Sequence, residues 1–207
     1  MKSIFDTLDL PEFRNRPAAF LGKRDLSVLN AWINGYVTAC EEAGEEQRLE
    51  TPNGLPISLL RDYIACAERY EDTGGIEDIL LRAADGQEGT AWVKFITHLD
   101  DFEALRVQSV QTMKITDALA EHAEEKRLVF TKNAEGKWEP YPYRGLVFRK
   151  AVLNGEICRI TQERPGKAPE RPFFAHGVTV MQQDEVDEQI ATYFGEVNWE
   201  TERGADA

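Results

Sequence analysis

Apolar residues recur at helical spacing through most of the first 126 positions and give way to strand-like runs after them. Leu26, Leu29, Ile33, Tyr36, Val37 and Cys40 fall at steps of three and four, which predicts a helix over 26–43 with one buried face flanked by Trp32. Asp25 or Ser27 offers its cap and Gly44 its stop. Gly35 in mid-helix costs about 1 kcal/mol against alanine, and the close approach of another element would be a reason to keep it. An acidic connection (41–50) and a turn-rich linker (51–56) follow. Leu60, Tyr63, Ile64 and Ala67 then predict a helix over 59–70 behind a Ser58 cap, and Gly74-Gly75 break the chain. A short helix over 76–84 runs to the Asp85-Gly86 turn. Ala91, Trp92, Phe95, Leu99 and Phe102 form the stripe of a helix over 88–105. Positions 107–111 fit neither period, 115–125 read as helix, and 1–24 read as a lead-in with a short helix or turn.

The pattern changes at Arg127. Leu128–Thr131 predicts a strand and 133–136 a turn. A second strand over 138–143 is confined to a sheet edge by Pro140 and Pro142, since proline cannot donate to a ladder. Leu146–Leu153 and Glu156–Gln162 flank Asn154-Gly155, a two-residue hairpin signal whose central residues must tolerate positive φ. A proline-rich loop (164–172), a strand over 173–181 and an amphipathic helix over 183–194, with Val186, Ile190 and Phe194 inward, complete the chain. The expected fold is α+β: a mainly helical part over 1–126, then over 127–207 a small antiparallel sheet with its hairpin at Asn154-Gly155 and a closing helix, the two forming one compact unit.

Charge sharpens this division. The 207 residues carry a formal net charge of −13. Residues 1–126 hold 13 Lys+Arg against 24 Asp+Glu, and 127–207 hold 11 against 13. Nucleic acids and anionic membranes are bound through cationic surfaces, so direct binding of either is not expected. A basic protein partner is the better match. The stretch 137–171 is locally basic and interleaved with aromatics, a composition that can stack bases but more often makes one covered and one solvated face of a sheet. No secretory pattern opens the chain and no run approaches the roughly 18 apolar residues of a membrane span, which points to the cytoplasm.

A catalytic set is not apparent. Cys40, Cys66 and Cys158 show no paired spacing, and the first two sit among apolar residues as small buried thiols. His98 and Asp101 have the i, i+3 spacing of a ligand pair on one helical face, but one such pair is common by chance. His122 lies in a charged helix and His176 beside a glycine. Phosphate-binding glycine loops and a nucleophile elbow are absent from the sequence. No cofactor, metal or catalytic residue is assigned.

The segment Arg16-Pro17-Ala18-Ala19-Phe20-Leu21-Gly22, followed by Leu29, Trp32 and Gly35-Tyr36, resembles a group of small bacterial proteins that begin Arg-Pro-x-x-aromatic-Leu-Gly and carry a Gly-Tyr pair one helix later. The aromatic helix around 92–102, near Asp100-Asp101-Phe102, fits the same pattern, so the resemblance covers about the first 105 residues. That group comprises immunity proteins of polymorphic and contact-dependent toxin systems. The resemblance implies binding and neutralising a cognate toxin, and it transfers no catalytic residue. Candidate electrostatic contacts in the acidic half are Glu45, Glu46, Glu71, Asp72, Asp100 and Asp101. The competing expectations are a small hydrolase using His98 with a carboxylate, and a regulatory or structural subunit assembling through its hairpin half.

Overall fold

The structure, a computed structural model, describes residues 3–23, 25–70, 74–126, 130–132, 135–140, 143–163 and 180–202. The chain divides into two compact units, Met1–Arg106 and Val107–Ala207. The change of hydrophobic period at Arg127 therefore does not coincide with this division, and the acidic helix just before it belongs to the second unit.

The first unit is helical. The lead-in forms three short helices, α1 (Ile4–Leu8), α2 (Pro11–Asn15) and α3 (Ala18–Leu21). Ser3 and Asp6 cap α1 reciprocally, with Asp6 N donating to Ser3 Oγ and Ser3 N to Asp6 Oδ2. Pro11 opens α2 at its first turn, where a missing N–H costs nothing. Then come α4 (Leu26–Ala43), α5 (Leu60–Ala67), α6 (Ile76–Ala83) and α7 (Glu88–Ala104). Asp25, not Ser27, caps α4 by accepting from Ser27 N at 2.8 Å, and Gly44 ends it in the left-handed conformation that glycine adopts most easily. Ser58 is no cap; it lies in a 3-10 turn (Ile57–Leu59) that winds into α5. A Cβ at Gly35 would meet nothing within 4 Å, so close packing does not account for that residue. The stripe foreseen on α7 is buried in full: Ala91, Trp92, Phe95, Leu99 and Phe102. Phe13 of α2 is the hub of an aromatic cluster, with ring centroids 5.9 Å from Phe20, 6.0 Å from Trp32 and 5.8 Å from Trp92.

The described residues of the second unit are α+β, a five-stranded sheet and a two-stranded ribbon with two helices. Its elements are β1 (Ser109–Lys114), α8 (Asp117–Lys126), β2 (Phe130–Lys132), β3 (Trp138–Pro140), β4 (Val147–Val152), β5 (Ile157–Glu163), β6 (Val180–Gln182), α9 (Gln183–Phe194) and β7 (Glu200–Thr201). The main sheet runs β6-β5-β4-β1-β7, every pair antiparallel, and β2 and β3 form a separate ribbon. The register Met113↔Phe148↔Gln162 places Met113, Phe148 and Ile160 on one face. Val186, Ile190 and Phe194 of α9 and Ala120 and Ala123 of α8 complete that core. The chain around 107–111, which fitted neither period, turns out to lead into β1, between β4 and β7 in the sheet.

The hairpin is where the sequence placed it, but its turn differs. Neither Asn154 nor Gly155 has positive φ. Instead Leu153 N donates to Ile157 O, closing a longer loop, and Asn154 Oδ1 accepts from Glu156 N at 3.0 Å and Ile157 N at 2.7 Å. The asparagine side chain thus supplies the acceptor that a tight backbone turn would otherwise provide. The proline-rich loop, most of the strand expected over 173–181, and the start of the strand expected at Leu128 lie outside the described residues. All three cysteines are buried thiols outside any disulfide, and burial pushes the Cys158 thiol up to about 12. No helix among the described residues is long and apolar enough to cross a membrane.

Candidate functional site

The residues that gather into a concave site lie on α7 and on the chain between α1 and α2. Val93, Ile96, Thr97, Asp100 and Glu103 follow i, i+3, i+4, i+7, i+10, a second stripe on α7 beside the buried one. It lines a cleft of about 900 Å³ together with Asp9, Pro11, Arg14, Asn15 and Trp92. The neighbouring core explains why this wall holds its place. Phe13 points into the aromatic cluster, so Arg14, the next residue of α2, faces the cleft, and Trp92 Nε1 donates to the Arg14 carbonyl at 3.4 Å.

Arg14 sits between carboxylates. Its Nη1 is 2.6 Å from Asp100 Oδ1 and its Nη2 hydrogen-bonds Asp9 Oδ1. Glu103 Oε1 and Arg14 Nε are shielded from solvent and have no hydrogen-bond partner. Burial, then the negative charge of Asp9 and a hydrogen bond shared with it, and more weakly the charge of Asp100, push the Glu103 carboxyl up to about 7 against the pull of Arg14. Asp100, Asp101 and Glu103 also crowd the C-terminal end of α7, whose last turn carries no basic residue. A helix C-terminus is already partly negative, so carboxylates there are disfavoured and cations favoured.

The raised Glu103 carboxyl has a consequence for stability. An unfolded chain releases this proton near the ordinary carboxyl value, whereas the folded chain keeps it until about pH 7. The folded state therefore loses stability as pH rises from the ordinary value to about 7, and the loss is complete above it. Partial exposure of the side chain reduces the effect. Glu103→Gln should raise the melting temperature by about 3 °C at pH 8 and by a small fraction of that at pH 5. Differential scanning calorimetry of both proteins at the two pH values checks this, and an equal shift at both would refute it.

Among the described residues proposed from sequence, Asp100 alone lines the cleft. Asp101 is exposed beside it. Glu45 precedes a 3-10 turn (Glu46–Leu49) and pairs with Arg48, whose guanidinium lies 5.3 Å from the Tyr36 ring centroid. Glu46 is exposed on that turn. Glu71 and Asp72 lie outside the described residues, as does His176. Glu103 was detectable from its i+3 relation to Asp100. Asp9 and Arg14 carried no local signal, because they reach Asp100 only through the packing of α2 on α7.

The histidine of the competing enzyme reading is tied up elsewhere. His98 Nε2 is 2.6 Å from Glu68 Oε1, and Lys94 Nζ donates to the same carboxylate at 2.9 Å. Burial alone would raise Glu68, but the hydrogen bonds from Lys94 and His98 outweigh it and hold the group below its ordinary value. The Tyr63 ring meets the imidazole edge-on at 6.2 Å. This is a packed ion-pair cluster of α5 and α7. Among the described residues no group of three or more His, Cys, Asp or Glu side chains is arranged to hold a metal ion.

Among the described residues, four basic side chains of the second unit are also engaged. Lys137 pairs with Glu135, Arg144 with Glu121, Arg149 with Glu163 and Glu202, and Lys150 with Asp187. Comparison with protein-family models, with curated proteins and with solved structures gave no match.

Proposed function

We propose that this chain is an immunity protein that acts in the cytoplasm, binding a cognate bacterial toxin and neutralising it by docking an acidic surface on the toxin's basic face. The observation that carries the reading is the cleft, where three carboxylates converge at a helix C-terminus on a single arginine. The surrounding unit supports it: residues 1–106 hold 11 Lys+Arg against 20 Asp+Glu, a net of −9, while 107–207 hold 13 against 17, a net of −4. The resemblance to immunity proteins over the same residues points the same way. Many toxins that attack nucleic acids or nucleotides have cationic clefts. Complementary potential would speed encounter with such a surface and select for it, while a few buried anchors hold the complex.

The test is co-expression with the product of the neighbouring toxin gene. Cells should survive, and the two proteins should co-purify. Charge reversal at Asp100 and Asp101 should slow association by roughly tenfold at low salt and far less at high salt. Failure both to protect and to co-purify would end the reading.

A further inference from the structure

We infer that the cleft between α2 and α7 receives one basic side chain, arginine or lysine, from the protein partner. The inference rests on the reading above for the partner being a toxin, and on the cleft itself for the chemistry of what enters.

The charge within the cleft is incomplete. Asp9, Asp100 and Glu103 face one cation, Arg14, and the C-terminal end of α7 adds partial negative charge. Arg14 engages Asp9 and Asp100 and Glu103 shares a hydrogen bond with Asp9, which leaves Glu103 Oε1 shielded from water and without a donor. An incoming guanidinium or ammonium supplies that donor and the missing charge together. The walls suit the rest of such a side chain. Val93, 60% exposed, and Ile96 of α7 and Pro11 of α2 also line the cleft. Arginine and lysine combine an aliphatic stem with a cationic head, so the stem lies along the apolar wall while the head reaches the acids. The cleft's volume of about 900 Å³ lies within the roughly 300–1,000 Å³ of small-ligand pockets, enough for a side chain with its flanking backbone. A neutral occupant would leave the negative charge of the cleft unmatched, and an acidic one would add repulsion.

Binding of a cation is linked to a proton. The charged groups facing Glu103 are Asp9 from the end of α1, Arg14 from α2 and Asp100 from α7 itself. A cation beside Glu103 favours its ionised form, so a proton leaves as the cation enters. With a free-state value of about 7, complete linkage makes binding about tenfold tighter at pH 8 than at pH 6.

The test uses the full chain and a probe that needs no toxin. Nα-acetyl-arginine N-methylamide is titrated into the ¹⁵N-labelled protein, with the citrulline analogue as the uncharged control of equal shape. The arginine probe should shift the Trp92 indole N–H and the amides of Arg14, Asp100 and Glu103, saturating in the millimolar range, with affinity rising from pH 6 to pH 8. The citrulline probe should leave them in place. Asp100→Asn, an exposed position that tolerates the change, should weaken the arginine probe at least fivefold. Equal shifts from citrulline, silence of the cleft resonances, or unchanged affinity in Asp100→Asn would overturn the inference. The two readings fail separately. A chain that gives these shifts without protecting cells keeps the cation cleft and loses toxin neutralisation, whereas one that protects cells with a silent cleft loses the cleft alone.

Discussion

Phe13→Ala should destabilise the first unit by about 3–5 kcal/mol, the cost typical of deleting a fully buried aromatic ring. Phe13 is 0% exposed and touches three other aromatic rings. The surrounding side chains come from α3, α4 and α7, three elements that cannot all collapse inward to fill the space. The loss is also functional in kind, because α2 presents Arg14 to the cleft only while Phe13 anchors its other side. Phe20→Ala is the matched control. Phe20 packs on Phe13 but is 45% exposed, so its removal uncovers less and leaves no sealed cavity. It should cost about 1 kcal/mol. Urea unfolding followed by tryptophan fluorescence reads both, and equal losses would show that Phe13 is not the hub.

The second large effect concerns a buried cation in the second unit. Lys150 on β4 is 3% exposed, yet it points to the face covered by α9. Its Nζ is 3.1 Å from Asp187 Oδ1 and 4.4 Å from the centroid of the Trp199 ring, while Trp199 Nε1 donates to the same Asp187 oxygen at 2.7 Å. Asp187 itself is 41% exposed. This asymmetry decides the prediction. Asp187→Ala strands an ammonium inside the protein and should cost about 3 kcal/mol. Lys150→Met keeps the stem's volume and leaves a carboxylate that water can still reach, so it should cost about 1 kcal/mol or less. Thermal unfolding of the two variants tests the order. If Lys150→Met proved the more damaging, the attraction of the pair would outweigh the penalty of an unpaired buried charge, and this account would be wrong.

The same contrast between local and distant determinants runs through the whole chain. The helix 26–43 was bounded correctly because its cap, its apolar stripe and its terminating glycine all lie within the segment. The stripes of α7 and α9 were right for the same reason. β1 was not recognised. Its residues Ser109–Lys114 are mostly polar, and only their position between β4 and β7 makes them a strand. The Asn154-Gly155 hairpin was placed correctly, but its turn was not, because an asparagine side chain can close a longer loop as well as favour a tight one.

By itself, then, the sequence determined where the longer helices run, where the hairpin lies, that the fold is α+β, and that the chain is strongly acidic. Periodicity, caps and composition are properties of neighbouring residues and of sums, so folding need not be known to read them. Tertiary structure alone decided that α8 joins the sheet unit, that Gly35 faces open space, that His98 is held by Glu68, and that Asp9 and Arg14 meet Asp100 and Glu103. Those four cleft residues lie up to 94 positions apart. Their charges act on one another only within a few ångström, a separation that exists once Phe13 and Trp92 have packed α2 against α7.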